Sequence, residues 1–217
     1  NIVRNFYNLN VLDTVCDLDE ESLKTVQEQF PGVNVTRDFK DIINNESITG
    51  VAVVTPSHTH FKMVKAMLEA GKNVYVEKPI STVAEEARVL TELAEEKGLV
   101  LMVDHLLLYH PAVNRLKMLI EEGVLGELVY AQSDRLNVNY HKNDRSVMWD
   151  LAPHDVSMIA YVTGKSPVKV ISAIGCSSDR NDIMDITHID VEFEGGMIAH
   201  ISDSWITPQK HVTLLVR

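Results

Sequence analysis

Along the first hundred residues the apolar positions switch repeatedly between short continuous runs and a helical spacing. VLDTVCD (11–17) is a brief β-like run. DEESLKTVQEQF (19–30) then places its apolar residues at helical intervals behind Asp19, a side chain suited to cap the first turn. A strand at 33–35 and a short helix at 38–44 follow. ITGVAVVT (48–55) is almost unbroken in β-branched and apolar residues, the composition of a strand covered on both faces. After Pro56, with Ser57 as its cap, the spacing predicts a helix over 57–70 that Gly71 stops. VYV (74–76), a helix over 82–97 closed by Gly98, and LVLMV (99–103) continue the alternation. Strands alternating with helices of this length predict βαβ units and a parallel sheet.

The pattern changes beyond residue 110. Residues 111–122 read as a helix ended by Gly123, and GELVYAQSDRLNVN (126–139) as one long strand. The polar stretch YHKNDRS precedes a helix over 149–163. VKVISAIGCS, THIDVEF, MIAHISDSW and HVTLLV are then β-runs joined by short turns such as Glu194-Gly195-Gly196. The expected fold is an α/β parallel sheet followed by an α+β domain with an open, mainly antiparallel sheet. A boundary near 104–110 divides the chain into 1–106 and 107–217. Asn1 falls inside a helix-like stretch, NIVRNFYNLN, and HVTLLVR stops in mid-strand, so the sequence is expected to lack both natural termini.

Composition narrows the class. The 217 residues are 45% apolar and 24% charged, ordinary for a globular protein with an ample core. A net charge of −11 and a pI of about 5.2 argue against a sequence-independent nucleic-acid surface, while leaving room for a local cationic pocket. The apolar runs are too short for a membrane span, and the start shows no signal-peptide pattern. Cys16 and Cys176 each sit in an apolar run and read as buried thiols in a reducing cytoplasm.

In an open parallel sheet, ligands bind beyond the carboxyl ends of the strands, so the strand-end residues carry the functional question. Asp17 ends the first visible strand. An acid there accepts from adenosine ribose hydroxyls and repels a 2′-phosphate, although alone it serves equally as a turn acid. Its glycine fingerprint would lie about 20 residues upstream, before Asn1. Thr55 and Pro56 end the next strand, ahead of His58 and His60, whose H-x-H spacing is a weak metal signal without further ligands. The strand 74–76 delivers Glu77-Lys78-Pro79 to the same edge. A lysine held there by a proline offers a fixed positive charge beside a ligand, or forms a plain surface pair with Glu77. Asp150 and His154 stand four residues apart on a predicted helix and share a face, as a functional pair or as a surface one. Histidine suits proton transfer near neutrality.

With these positions aligned, the chain resembles the Gfo/Idh/MocA oxidoreductases. The matching residues are Asp17, Thr55-Pro56, the helix entered by His58 and His60, Glu77-Lys78-Pro79, and Asp150-Leu151-Ala152-Pro153-His154-Asp155. The stretch LVLMVDHLLLYHPAVNRLKMLIEEGVLGEL looks like the family's domain junction. The resemblance implies a Rossmann-type first domain binding NAD through Asp17, Thr55, Pro56, His60, Glu77 and Lys78, with no metal. It implies that Lys78 lies near the nicotinamide and the substrate hydroxyl, that His154 is the acid/base, and that Asp150 assists. It further implies a homodimer or homotetramer through the C-terminal sheet.

Arg135, Asn137 and Asn139 recur at period two on SDRLNVN and are expected to face substrate with Lys78, Asp150 and His154. Lys142 and Arg145 in the next loop add cations suited to a diphosphate. This stretch, with SVMWDLAPHD, is similar to the UDP-N-acetylglucosamine-type 3-dehydrogenases of the family. The expected function is NAD-dependent oxidation of a nucleotide-linked sugar. A free sugar or polyol dehydrogenase is the alternative, and a non-catalytic Rossmann binding protein is another. Arg135 also reads as a structural ion-pair partner of Asp134 or Asp150.

Overall fold

In chain order the first half becomes α1 (Ile2–Asn8), β1 (Thr14–Cys16), α2 (Glu20–Gln29), β2 (Asn34–Thr36) and α3 (Phe39–Asn44), then β3 (Gly50–Val53), α4 (His60–Glu69), β4 (Asn73–Val76), α5 (Ala84–Lys97) and β5 (Leu101–Val103). This computed structural model describes residues 2–138, 146–178 and 183–217, and the chain divides after Asp104 into two compact units. Asp19 caps α2 as expected, its carboxylate accepting from the Ser22 amide at 3.0 Å. Gly98 closes α5 at φ 63°, a left-handed conformation that a side chain would strain.

Every ladder of the first unit is parallel. β1 pairs with β2, and β3, β4 and β5 lie side by side in that order. Val53, Val74 and Val76 meet Val64, Met67 and Leu68 of α4 and Leu90 and Ala94 of α5 in one core. Val64, Leu68, Val76 and Leu90 are wholly excluded from water, worth about 1.5–3 kcal/mol each. The helix expected over 57–70 divides into a 3₁₀ turn, Ser57–Thr59, and α4; no side-chain cap comes from Ser57 or Thr59. The cause is local. The Thr59 hydroxyl is turned back onto the preceding turn, donating to the Pro56 carbonyl at 2.7 Å and lying 2.6 Å from the Thr55 hydroxyl, rather than forward onto the α4 amides.

The second unit holds α6 (Pro111–Glu121), β6 (Tyr130–Val138), α7 (Val147–Thr163), β7 (Pro167–Cys176), β8 (Ile186–Phe193), β9 (Met197–Ser204) and β10 (Ile206–Val216). Its sheet runs β10-β6-β9-β8-β7; the β6–β9 pair is parallel and the other pairs antiparallel. The sheet is therefore mixed, mostly antiparallel. Ile189, Val191 and Phe193 alternate along β8 and pack with Ala199 and Ile201 of β9 beneath Ala152 and Ile159 of α7.

The cysteines depart from expectation. Cys176 is exposed and Cys16 half-buried, both free. β7 is an edge strand left largely uncovered on both faces, so an apolar neighbourhood in sequence did not bring burial. Burial first, then the charges of Asp17, Asp38 and Asp41, raise the Cys16 thiol above its ordinary range. Among the described residues no helix is long and apolar enough to cross a membrane.

Candidate active site

The carboxyl edge of the first unit gathers the strand-end residues. Asp17 follows β1 and is exposed; one carboxylate oxygen accepts from the Asp19 amide at 3.0 Å, which also fits the turn-acid reading. Thr55 and Pro56 follow β3 and are exposed, with the Thr55 and Thr59 hydroxyls 2.6 Å apart. Glu77 and Lys78 follow β4 and are half-buried, while Pro79 is buried behind a cis peptide bond. An exposed acid, an exposed hydroxyl turn and a seated lysine, all beyond parallel strands, fit a dinucleotide.

His60 does not sit as a cofactor ligand should. It is 1% exposed, and its ring nitrogens lie 2.7 Å from the Thr55 carbonyl and 2.8 Å from the Pro79 carbonyl. His58 is exposed, so the two histidines of the H-x-H share no site.

One residue was missed. Asp104 leaves β5 beside Glu77, because β4 and β5 pair Val76 with Val103 and the Asp104 amide donates to the Val76 carbonyl at 2.8 Å. Burial, and then the Asp104 carboxylate, raise the Glu77 carboxyl above its ordinary range; Lys78 opposes this more weakly. The sequence signal was available: like Asp17, Asp104 is an acid that ends an apolar run.

In the second unit, α7 carries Asp150, 5% exposed, and His154, half-buried. Pro153 lies inside this helix and has no N–H, so the Trp149 carbonyl one turn back loses its helical donor next to the Asp150–His154 pair. Asp155, fully buried, docks the helix on the sheet. It accepts from Arg135 through Nε at 3.2 Å and Nη2 at 3.0 Å, and from the Ser133 hydroxyl at 2.6 Å. The arginine expected to face substrate is thus an ion-pair partner, of Asp155 rather than Asp134 or Asp150. Arg135 does share one face of β6 with Ala131 and Ser133, but α7 covers that face. Asn137 is half-buried near the strand's end; Asn139, Lys142 and Arg145 lie outside the described residues.

Asp203 faces the same layer from β9, in register with Arg135 and fully buried. Burial first, then the charge of Asp155, push its carboxyl up to about 8 against the pull of Arg135. Among the described residues its oxygens meet no donor, which fits a carboxyl that keeps its own proton well above the usual range.

A parallel dinucleotide-type sheet followed by a mixed sheet with a helix-borne Asp–His pair defines a class of two-domain oxidoreductases. Residues 3–105 match the family description "Oxidoreductase family, NAD-binding Rossmann fold", and residues 113–217 match "GFO/IDH/MocA C-terminal domain". The chain belongs to the Gfo/Idh/MocA family. It is 36% identical over 152 residues to the uncharacterized oxidoreductase YdgJ of Escherichia coli, covering 66% of this chain and 43% of that one. It is 30% identical over 158 residues to UDP-N-acetylglucosamine 3-dehydrogenase of Acidithiobacillus ferrooxidans (72% and 49%), and 26% over 199 residues to the NADP(+)-type scyllo-inositol 2-dehydrogenase IolW of Bacillus subtilis (85% and 54%). Among solved structures, GenD2 of gentamicin A biosynthesis, in complex with NAD, superposes with TM-score 0.87 at 25% identity, covering 94% of this chain and 62% of that one. The Acidithiobacillus enzyme superposes with TM-score 0.86 at 24% identity (99% and 68%), a likeness of fold. The chain spans about half the length of the curated relatives it matches.

Proposed function

We propose that the intact protein is an NAD-dependent dehydrogenase that oxidises a secondary hydroxyl of a sugar or polyol. The observation that carries this is the half-buried Lys78, delivered by β4 to the carboxyl edge of a sheet whose domain matches the NAD-binding family. When bound, NAD supplies the hydride-accepting ring. The chain's own residues bind, orient and move the proton. Lys78 holds the reacting hydroxyl by charge and hydrogen bonding, His154 takes its proton, and Asp150, one turn earlier, orients the imidazole or a second hydroxyl. Asp17 accepts from the ribose hydroxyls and disfavours a 2′-phosphate, so NAD is preferred over NADP.

The substrate we propose is a nucleotide-linked sugar of the UDP-N-acetylhexosamine class, or its uronic acid, oxidised at the 3-position. The 30% identity to a UDP-N-acetylglucosamine 3-dehydrogenase supports it. Arg135 no longer does, since Asp155 engages its guanidinium through Nε and Nη2. A free polyol such as an inositol is the second reading, favoured by that lost cation and by the inositol dehydrogenases among the relatives. The free cysteines suit a cytoplasmic setting. The outer face of the C-terminal sheet suits a second copy of the chain: Ile174 and Leu215 lie exposed on it. The test is NAD reduction with UDP-N-acetylglucosamine, its uronic acid, myo-inositol and glucose side by side. Turnover of the free compounds with none of the UDP-sugars would replace the first substrate reading with the second.

A further inference from the structure

His60 occupies a position that neither cofactor binding nor core filling explains. The β3–β4 ladder ends at Val53–Val76, with a last rung from the Glu77 amide to the Val53 carbonyl at 3.0 Å. Beyond it the two chains leave the sheet, one through Thr55-Pro56 and the other through Lys78-Pro79. The imidazole at the start of α4 spans that gap, with Nε2 at 2.7 Å from the Thr55 carbonyl and Nδ1 at 2.8 Å from the Pro79 carbonyl. Carbonyl oxygens only accept, so whichever ring nitrogen makes a bond here does so as the donor. A neutral imidazole carries one N–H and serves one carbonyl at a time; the doubly protonated ring serves both. The ring is 1% exposed, so water does not compete for either bond.

We infer that His60 is the positioning residue of the Lys78 turn: its Nδ1–H, donating to the Pro79 carbonyl, fixes the Pro79–Ile80 peptide one residue past Lys78, while Nε2 lies against the Thr55 carbonyl of the neighbouring turn. The consequence for catalysis rests on the role proposed above for Lys78. A misplacement of about 1 Å at a reacting group costs about 10²-fold in rate, so the clasp acts on turnover rather than on binding of the adenosine half of NAD.

Two amides separate the bonds. The short side chain of His60→Asn places its NH₂ where Nδ1 stood, and the longer His60→Gln where Nε2 stood. In the intact protein, His60→Gln is expected to lose about 10²-fold in kcat with KM for NAD within about threefold. His60→Asn is expected to stay within about fivefold of wild type on both. A purely structural histidine predicts equal kcat for the two among folded molecules, and that result overturns the inference. Amide exchange across residues 77–83, measured without cofactor or sugar, should be faster in His60→Gln than in His60→Asn; equal exchange overturns it. The wild-type protein needs no variant to fold: with isotope-labelled histidine, the Nδ1 proton of His60 should be present and protected from solvent, and an unprotonated Nδ1 refutes the Pro79 bond. Should wild type transfer hydride from none of the sugars, the proposed function fails on its own, and exchange and the Nδ1 proton still decide the clasp.

Discussion

Replacing Asp203 by asparagine should stabilise the second unit in alkali and leave it nearly unchanged in mild acid. Asp203 lies opposite Arg135 in the β6–β9 ladder, without solvent, and its carboxyl is pushed from 3.8 up to about 8 by burial and by Asp155. Between those limits the folded chain holds a proton that the unfolded chain has released. The group's contribution to stability is therefore complete below about pH 4 and is lost as pH rises towards about 8. At about 1.4 kcal/mol per tenfold change, the whole climb corresponds to at most about 6 kcal/mol. About 2–4 kcal/mol of this is expected between pH 5 and pH 9, the interval in which Asp203 gives up its proton. An asparagine amide donates to Asp155 as the protonated carboxyl does, but at every pH. Asp203→Asn should thus match wild type within about 1 kcal/mol at pH 5 and exceed it by about 2–4 kcal/mol at pH 9. Trp149 and Trp205 are the protein's two tryptophans and both belong to the second unit, so urea unfolding followed by tryptophan fluorescence reports on that unit. A wild-type midpoint that does not fall between pH 5 and pH 9, or a variant equally destabilised at both, would refute a proton retained on Asp203.

Four further outcomes are expected. Lys78→Ala and His154→Ala should each fold and lose about 10²–10⁴ in hydride-transfer rate, read with saturating NAD; near-wild-type turnover in either removes that residue from the chemistry. Arg135→Ala should cost about 3–5 kcal/mol of stability by leaving Asp155 buried and uncompensated, measured by the same fluorescence unfolding. Titration should show NADH binding more tightly than NADPH, with the preference shrinking in Asp17→Ala; tighter NADPH binding in wild type would contradict the ribose role. Sedimentation of the intact protein at micromolar concentration should show a dimer or tetramer, and Ile174→Glu on the outer sheet face should shift it towards monomer.

What the sequence made legible follows from which forces act locally. The parallel half was readable because VAVV, VYV and LMV lack polar interruptions, their Val53, Val74 and Val76 lying in the core although Val54 and Met102 are exposed, while Asp19, Gly71 and Gly98 punctuate the helices between them. The strand-end positions of Asp17, Thr55 and Lys78 followed from that alternation. Side-chain partners did not, because a partner is a tertiary fact. Period two put Arg135 on one face of β6, yet whether that face met substrate or helix depended on where α7 lay, and Asp155 sits 20 residues away in sequence. His60 read as a site residue for its place after Thr55-Pro56; its burial comes from the Pro79 carbonyl 19 residues on. The parallel β6–β9 pair was equally hidden, since β7 and β8 intervene and no turn signal encodes it. Asp104 was readable and was passed over.

The central claim is that hydride leaves a sugar carbon for NAD with Lys78 and His154 in attendance. The direct measurement uses UDP-N-acetylglucosamine deuterated at carbon 3, and in parallel deuterated myo-inositol, with NAD and the intact protein. The account predicts reduced nucleotide carrying deuterium at the nicotinamide ring from one of the two compounds, abolished in Lys78→Ala and His154→Ala. Protein that binds NADH yet produces no deuterated nucleotide from either compound, or from their uronic acid and glucose counterparts, would contradict it.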